Sequence, residues 1–270
     1  MNSYLTSIVL GLIEGVTEFL PVSSTGHLQL AERWLTPQSE LFDIIVQCGA
    51  VLAVLAVFQG RIRRLAVDFR QPPARDYLAK LLLAFLITIV GVLISEKVGL
   101  KARKEDVEAA AWTARIAWAT LIGGVLFLIT EAWLRGRQVT SEITWTVAVA
   151  VGVAQIVAAN FSGTSRSGAT ILFALALGVA RPAATEFSFL VGVPTLLAAG
   201  GYKLLKAWKH HELGTENWGA VLLATAVAAI TAFMVIRWLL RFVQNHTFVV
   251  FGWYRIVLGL LLLLLPRFSR

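Results

Sequence analysis

The chain contains 270 residues, of which 57% are hydrophobic and only 15% are charged. Soluble domains carry about 25% charged residues, so this composition, with a mean hydropathy of +0.74, excludes an ordinary soluble domain. The net charge is +8, but most basic residues lie between apolar runs, where membrane proteins contact lipid headgroups. We therefore expect membrane lipids, and not nucleic acid, as the partner of this charge. The single cysteine, Cys48, excludes an internal disulfide.

Apolar periodicity predicts ten helical segments within one membrane domain, residues 1–270. The first apolar stretch contains Glu14 and Glu18, so we expect it to belong to the mature fold and not to a removable signal peptide. In chain order, the predicted segments cover residues 4–20, 25–36, 42–59, 77–96, 112–133, 142–159, 168–180, 186–207, 218–240 and 247–266.

Two of these segments, 25–36 and 168–180, are too short to cross a bilayer, because about 12 residues with a rise of about 1.5 Å each span only about 18 Å. Each follows a longer segment through a polar junction, so each pair predicts a re-entrant helical hairpin with a polar tip. Non-helical backbone at membrane depth is tolerated where protein buries it or where it lines a wet cavity. The two tips are therefore expected to share one cavity.

The order hairpin, three spans, hairpin, three spans predicts an all-α polytopic membrane protein with about six transmembrane helices and an inverted-topology repeat. The repeat divides the chain into residues 1–135 and 136–270, and the stretches 42–53 and 187–198 align without gaps. The predicted loop 61–75 is basic, yet lysine and arginine are nearly balanced between the two faces. The positive-inside rule therefore does not settle the orientation.

Glu14 and Glu18 are four residues apart on an otherwise apolar helix, so both carboxylates project from one face at membrane depth. A carboxylate in this environment costs at least about 2.5 kcal/mol, which makes the pair a functional candidate. Two carboxylates at this spacing suit a hard divalent cation, Mg²⁺ or Ca²⁺, that also bridges phosphates. The sequence leaves two alternatives open, a structural pair satisfied by Arg166 or by backbone donors, and a proton relay.

The first junction places Ser23, Ser24 and Thr25 at the start of a helix, followed by Gly26 and His27. Hydroxyls and free backbone N–H groups at a helix N-terminus form an anion site, although serine and threonine also cap ordinary helices. Capping does not explain His27, the one histidine within a predicted apolar arm. We therefore expect the hydroxyls to contact an anion and His27 to transfer protons.

The second junction combines flexible glycine backbone, three hydroxyls and an arginine at the start of a helix. An unpaired arginine at membrane depth is expensive, so Arg166 must meet a carboxylate or a bound anion. The junction predicts a phosphate cradle, whose candidate residues are Gly163, Thr164, Ser165, Arg166, Ser167, Gly168 and Thr170.

The stretches from Glu14 to His27 and from Gly163 to Thr170 strongly resemble the two signature motifs of the BacA-type undecaprenyl-diphosphate phosphatases of bacteria. The likeness extends over nearly the whole chain. The second motif of that family usually opens with a proline before the glycine, whereas this chain has Ser162. The Ser-Arg-Ser core of the motif is intact, so the departure concerns the local backbone and not the chemistry.

The resemblance implies hydrolysis of undecaprenyl diphosphate to undecaprenyl phosphate and inorganic phosphate, which recycles the lipid carrier for peptidoglycan synthesis and confers bacitracin resistance. It also implies a multi-pass protein of the bacterial cytoplasmic membrane, an active site that opens toward the outer face, and a dependence on a divalent cation. The matching residues are Glu14 and Glu18 as the acidic pair, Ser24 as the attacking hydroxyl, His27 nearby, and Arg166 in the second motif.

Several alternatives stay open at this point. Ser24 either forms a phosphoserine or orients a water molecule, with His27 or Glu18 as the base. A secondary transporter or lipid-phosphate flippase is the alternative function, because inverted repeats with broken helices also form transporters. A phosphatidic-acid-type membrane phosphatase is disfavoured, since no histidine with an aspartate four residues later follows Arg166. A homodimer is neither required nor excluded.

Overall fold

The computed structural model describes residues 3–31, 34–35, 38–100, 107–210, 214 and 216–264. Within these ranges the regular structure consists of eleven α-helices, with one isolated β-bridge between Thr140 and Val179. The helices are α1 Ser3–Thr17, α2 Ser24–Ala31, α3 Glu40–Val57, α4 Gln59–Val67, α5 Pro72–Lys97, α6 Ala109–Leu134, α7 Trp145–Asn160, α8 Arg166–Ala176, α9 Arg181–Lys209, α10 Trp218–Asn245 and α11 Val249–Leu264.

The helices follow the predicted segments except in the basic stretch 61–75, where the prediction of a loop is wrong. This stretch contains most of α4 and the start of α5. The buried side chain of Leu65 anchors α4, and Pro72 lies in the first turn of α5, where its fixed backbone angle favours helix initiation. The predicted segment ends at residues 36 and 266 lie outside the described residues.

Four described helices, α5, α6, α9 and α10, are long and apolar enough to cross a membrane. Helices α3 and α4 meet the same criterion only as a pair, and they are bent by 68° at their junction. The described helices thus give four or five candidate spans in a multi-pass all-α protein. Helices α1 and α7 have 15 and 16 residues, which span about 24 Å or less. This length favours the re-entrant arms, which stay a prediction together with the count of about six spans.

The helices of the two halves make equivalent contacts. Helix α1 packs against α10 as α7 packs against α5, and α3 packs against α10 as α9 packs against α5. Helix α3 also contacts α9, and α6 contacts α11. A duplicated fold predicts this pairing if α1, α2, α3, α5 and α6 correspond to α7, α8, α9, α10 and α11. The contacts fit a duplicated fold, and the inverted orientation of the two halves stays a prediction.

Glycines allow the two hairpin arms to pack closely against their partner helices. A Cβ atom at Gly11 would lie 2.5 Å from the carbonyl oxygen of Ala224, and one at Gly15 would lie 2.6 Å from that of Ala228. On α7, a Cβ atom at Gly152 would lie 2.9 Å from a side chain of α5. Small residues permit such close helix contacts within a membrane. They bring α1 and α7, and hence both polar tips, into the interior of the bundle.

A buried carboxylate joins three helices at the ends of α6, α9 and α11. Glu131 on α6 is 1% exposed, and Arg181 on α9 donates to both of its oxygens, with 2.9 Å between Nε and Oε1. The backbone N–H of Phe248 donates to the same Oε1 at 2.8 Å. The charge of Glu131 is thus balanced and hydrogen-bonded, as burial requires.

We expect Arg181→Met to lower the free energy of unfolding by about 3 to 5 kcal/mol, because it leaves Glu131 buried without its cation. Arg61→Met is the matched control, since Arg61 pairs with Glu186 at 2.9 Å but the two side chains are 36% and 32% exposed. That loss should be about 1 kcal/mol or less. Denaturant unfolding of the purified protein in detergent measures both values. Equal losses would contradict the special role of the Glu131 pair.

Candidate active site

The two short helices α2 and α8 begin in the same way. Each is preceded by a serine in the left-handed region, Ser23 with φ of +75° and Ser165 with φ of +66°. The Oγ atom of each serine accepts a hydrogen bond from a glycine N–H three residues later, at 3.3 Å and 3.1 Å. This cap makes Ser24 and Arg166 the first residues of their helices. The two positions are therefore equivalent in the two halves of the chain.

Glu18 connects these two helix starts. Its Oε2 accepts a hydrogen bond from Ser24 Oγ at 2.6 Å, and its Oε1 accepts one from Arg166 Nη2 at 2.9 Å. Arg166 Nη2 also donates to Gln47 Oε1 at 3.3 Å. Glu18 is 7% exposed, so its charge is balanced by Arg166 within the protein. We call Glu18, Ser24 and Arg166 the carboxylate cluster.

The carboxylate cluster lines a cavity of about 600 Å³ between α3, α5, α7 and α9. This volume lies within the usual range for small-molecule sites. The lining reaches Glu96 and Lys203, near the C-terminal ends of α5 and α9. Six of the residues predicted from the sequence belong to the lining: Glu18, Ser24, Thr25, Gly163, Ser165 and Arg166. The two tips therefore share one cavity, as the sequence predicts.

Other hydroxyls of the predicted cradle bond to backbone carbonyls instead of lining this cavity. Ser167 Oγ is 3.1 Å from the carbonyl oxygens of both Glu18 and Leu20, which ties the second tip to the first. Thr170 Oγ1 lies 2.9 Å from the carbonyl oxygen of Arg166, one turn earlier on α8. The predicted cradle residues that do not belong to the lining, besides Ser23 of the first tip, are Thr164, Ser167, Gly168 and Thr170.

His27 is directed away from the carboxylate cluster. Its Nδ1 lies 2.7 Å from the carbonyl oxygen of Ser23, so it donates to this acceptor, and its Nε2 lies 2.6 Å from the hydroxyl of Tyr254. His27 and Tyr254 line a separate, apolar groove. The structure therefore does not bring the imidazole to Ser24, and the role of His27 in proton transfer stays a prediction.

Glu14 fits the donor chemistry of a hard cation. The residue is fully buried and does not line the cavity. No hydrogen bond of standard geometry reaches either of its carboxylate oxygens, and its polar neighbours are Gln47, Glu18 and Asp43. An unpaired carboxylate in this position requires a proton or a cation. No group of three or more acidic, histidine or cysteine ligands occurs among the described residues. Mg²⁺ does not need one, because it usually binds through one or two carboxylates plus substrate phosphates.

The chain matches a known protein family over nearly its whole length. The family described as Bacitracin resistance protein BacA matches residues 7–261. This chain belongs to the BacA family.

Three curated relatives of this BacA protein carry the name undecaprenyl-diphosphatase. The relative from Rhizobium etli is 48% identical over 261 residues, which cover 96% of each chain. The relative from Xylella fastidiosa is 47% identical over 264 residues, which cover 97% of this chain and 98% of its own. The relative from Xanthomonas oryzae is 45% identical over 265 residues, with coverages of 98% and 97%.

Sequence reasoning missed several polar residues that contact the tips of this BacA protein. Arg255 and Tyr254 lie on α11, within the last predicted apolar segment, and Gln47 lies on α3. The signal was present, because an arginine or glutamine inside an apolar run is costly and marks a polar contact. The partners were not predictable, since Tyr254 meets His27 and Arg255 meets both tips across the bundle.

Proposed function

We propose that this BacA protein hydrolyses undecaprenyl diphosphate to undecaprenyl phosphate and inorganic phosphate at the carboxylate cluster. The observation that carries the proposal is the contact of one carboxylate, Glu18, with both a hydroxyl and a guanidinium inside a cavity. The relatives are named for this reaction and not for transport, which favours an enzyme over a transporter or flippase. The product is the lipid carrier that peptidoglycan synthesis uses again.

Ser24 is the proposed nucleophile, with Glu18 as its base. Ser24 Oγ is 2.6 Å from Glu18 Oε2, within reach for proton transfer. In the first step, Oγ attacks the terminal phosphorus, the Ser24 proton passes to Glu18, and the bond from this phosphorus to the bridging oxygen breaks. Undecaprenyl phosphate leaves. Its former bridging oxygen takes the proton from Glu18, which is then a base again. A water molecule next gives a proton to Glu18 and attacks the phosphoserine. The bond between phosphorus and Oγ breaks, Glu18 returns this proton to Oγ, and inorganic phosphate leaves.

Arg166 is the proposed ligand of the transferred phosphoryl group. Its side chain is 25% exposed and lines the cavity, and the contacts to Glu18 and Gln47 use Nη2. The donors on Nε and Nη1 remain available to phosphate oxygens. Arg166 also begins α8, so the positive end of this helix supports the same anion. Phosphoryl transfer depends mainly on such positioning and charge stabilisation.

A divalent cation, Mg²⁺ or Ca²⁺, is proposed to bind Glu14 together with Glu18. When bound, it would neutralise part of the negative charge of the diphosphate. The positive charge of the cation is needed because the charge of Arg166 is already balanced by Glu18, whereas a diphosphate brings several further negative charges. The orphaned carboxylate of Glu14 supports this assignment.

The cavity is proposed to open toward the outer face of the bacterial cytoplasmic membrane. Its lining extends from the tips to Glu96 and Lys203, so polar substrate groups have a route along the C-terminal halves of α5 and α9. The polyprenyl tail of the substrate would stay among the membrane lipids. The family resemblance supports the outer face.

The purified protein in detergent is expected to release phosphate from undecaprenyl diphosphate, which a transporter alone would not do. Arg166→Lys should lower turnover by about 100-fold or more with the fold retained, because lysine keeps the charge but lacks the planar fork. Phosphate release and the melting temperature are the measurements. Turnover near that of the parent would contradict the role of Arg166, and an inactive parent would contradict the proposed reaction.

A chelator at saturating concentration should abolish phosphate release by the parent protein. Glu14→Gln should then raise the Mg²⁺ concentration needed for half-maximal rate by about tenfold or more, because glutamine keeps the size but not the charge. Glu142→Gln, at an exposed position, is the matched control. Activity that survives the chelator in the parent would instead make Glu14 a structural residue or part of a proton relay.

The two adjacent serines should respond differently to substitution by alanine. Ser24→Ala should abolish phosphate release, because it removes the proposed attacking hydroxyl. Ser23→Ala should lose about 1 kcal/mol of capping and keep substantial activity, since its Oγ caps α2. Phosphate release and thermal unfolding distinguish the two effects. Similar, modest losses in both variants would show that neither serine attacks, and would leave a water molecule as the nucleophile.

A further inference from the structure

Arg255 is the largest fully buried side chain among the described residues. It lies in the middle of the apolar helix α11, and every hydrogen bond of its guanidinium goes to a backbone carbonyl. The acceptors come from both tips and from α6, at 3.0 to 3.3 Å: Pro21, Ala119, Thr120, Gly163 and Thr164. A charge at this depth is costly, so this arrangement requires an explanation beyond packing.

The acceptor carbonyls of the two tips lie two to three residues before residues of the carboxylate cluster. Pro21 of the first tip precedes Ser24 by three residues, and Thr164 of the second tip precedes Arg166 by two. Between each acceptor and its cluster residue lies one of the left-handed serines, Ser23 or Ser165, so the intervening backbone has little freedom. Nη1 of Arg255 holds the first tip, and Nη2 holds the second. The rigid, planar guanidinium of Arg255 therefore sets the distance between the two tips.

We infer that Arg255 is a positioning residue for phosphoryl transfer, which fixes the nucleophile Ser24 relative to the phosphate ligand Arg166. This inference rests on the proposed function. Arg255 does not line the cavity of the carboxylate cluster, so it acts through the backbone of the two tips. Catalysis by positioning is sensitive to displacements of about 1 Å, and the tips have no regular backbone pairing of their own to resist such a displacement.

The geometry explains why the residue is an arginine. A guanidinium presents five donors in a fixed plane, and Arg255 uses Nε, Nη1 and Nη2 toward three different segments. A lysine has three donors on one nitrogen and cannot reach carbonyls on both sides. Gly123 on the neighbouring α6 leaves the space that the guanidinium occupies. A Cβ atom at this position would lie 2.3 Å from Nη2 and 2.9 Å from Cζ of Arg255.

Two variants disturb the guanidinium independently, and each has a matched control. Arg255→Lys removes the plane, and Gly123→Ala displaces it while Arg255 itself is kept. Arg237→Lys, at an exposed position on α10, and Gly201→Ala, which has open space around it, are the controls. We expect kcat for undecaprenyl diphosphate to fall by about tenfold or more in the first two variants, with KM changed less than about threefold. The controls should keep the parent kcat.

A double-mutant cycle with Arg166→Lys separates positioning from general stability. If Arg255 acts by placing Arg166, then Arg255→Lys should cost much less in kcat when Arg166 is already lysine, because the effects share one interaction. Multiplicative losses in the double variant, or a normal kcat in both Arg255→Lys and Gly123→Ala, would overturn the inference. If Arg255→Lys does not give folded protein, Gly123→Ala alone decides it. An inactive parent would contradict the proposed function instead.

Discussion

The site depends on one buried carboxylate at the meeting point of three chain segments. Glu18 accepts hydrogen bonds from Ser24 and Arg166, the first residues of two short helices, and its backbone carbonyl accepts one from Ser167. Such donors stabilise a carboxylate at membrane depth, and the positive ends of α2 and α8 add to them. The hydrogen bonds that stabilise the buried charge of Glu18 therefore also place a hydroxyl and a guanidinium side by side.

The bilayer imposes the second constraint, because each irregular tip exposes carbonyl groups that have no helical partner. Lipid cannot satisfy them, so the protein must supply donors from elsewhere in the chain. Arg255 and Ser167 do so for both tips. Close packing at Gly11 and Gly15 brings the first arm against α10, which shields it from lipid. The polar site is thus enclosed by groups that do not line the cavity themselves.

The sequence predicts the parts of the site that depend on local pattern. The short arms and the polar junctions follow from segment length and local pattern. The ion pair of Glu18 with Arg166 is one of the alternatives that the cost of buried charge leaves open. The left-handed backbone of Ser23 and Ser165 and the partners of Arg255 depend on contacts between distant segments, so no local pattern encodes them. His27 shows the same limit: its spacing from Ser24 suggests one helix face, but Tyr254 and the Ser23 carbonyl hold it elsewhere. Helix α4 was not predicted, because its arginines interrupt the apolar pattern of the sequence.

The ion pair of Arg166 with Glu18 has a further consequence for the proposed reaction. A buried ion pair is weak evidence for stability, because desolvation offsets much of the attraction, so the pair matters here for the geometry that it imposes. In the proposed reaction, the phosphate binds the free donors of Arg166 while Nη2 stays on Glu18. Oε2 of the same carboxylate accepts the hydrogen bond of Ser24. One guanidinium and one carboxylate therefore hold the phosphoryl group and the attacking hydroxyl in a fixed relation to each other.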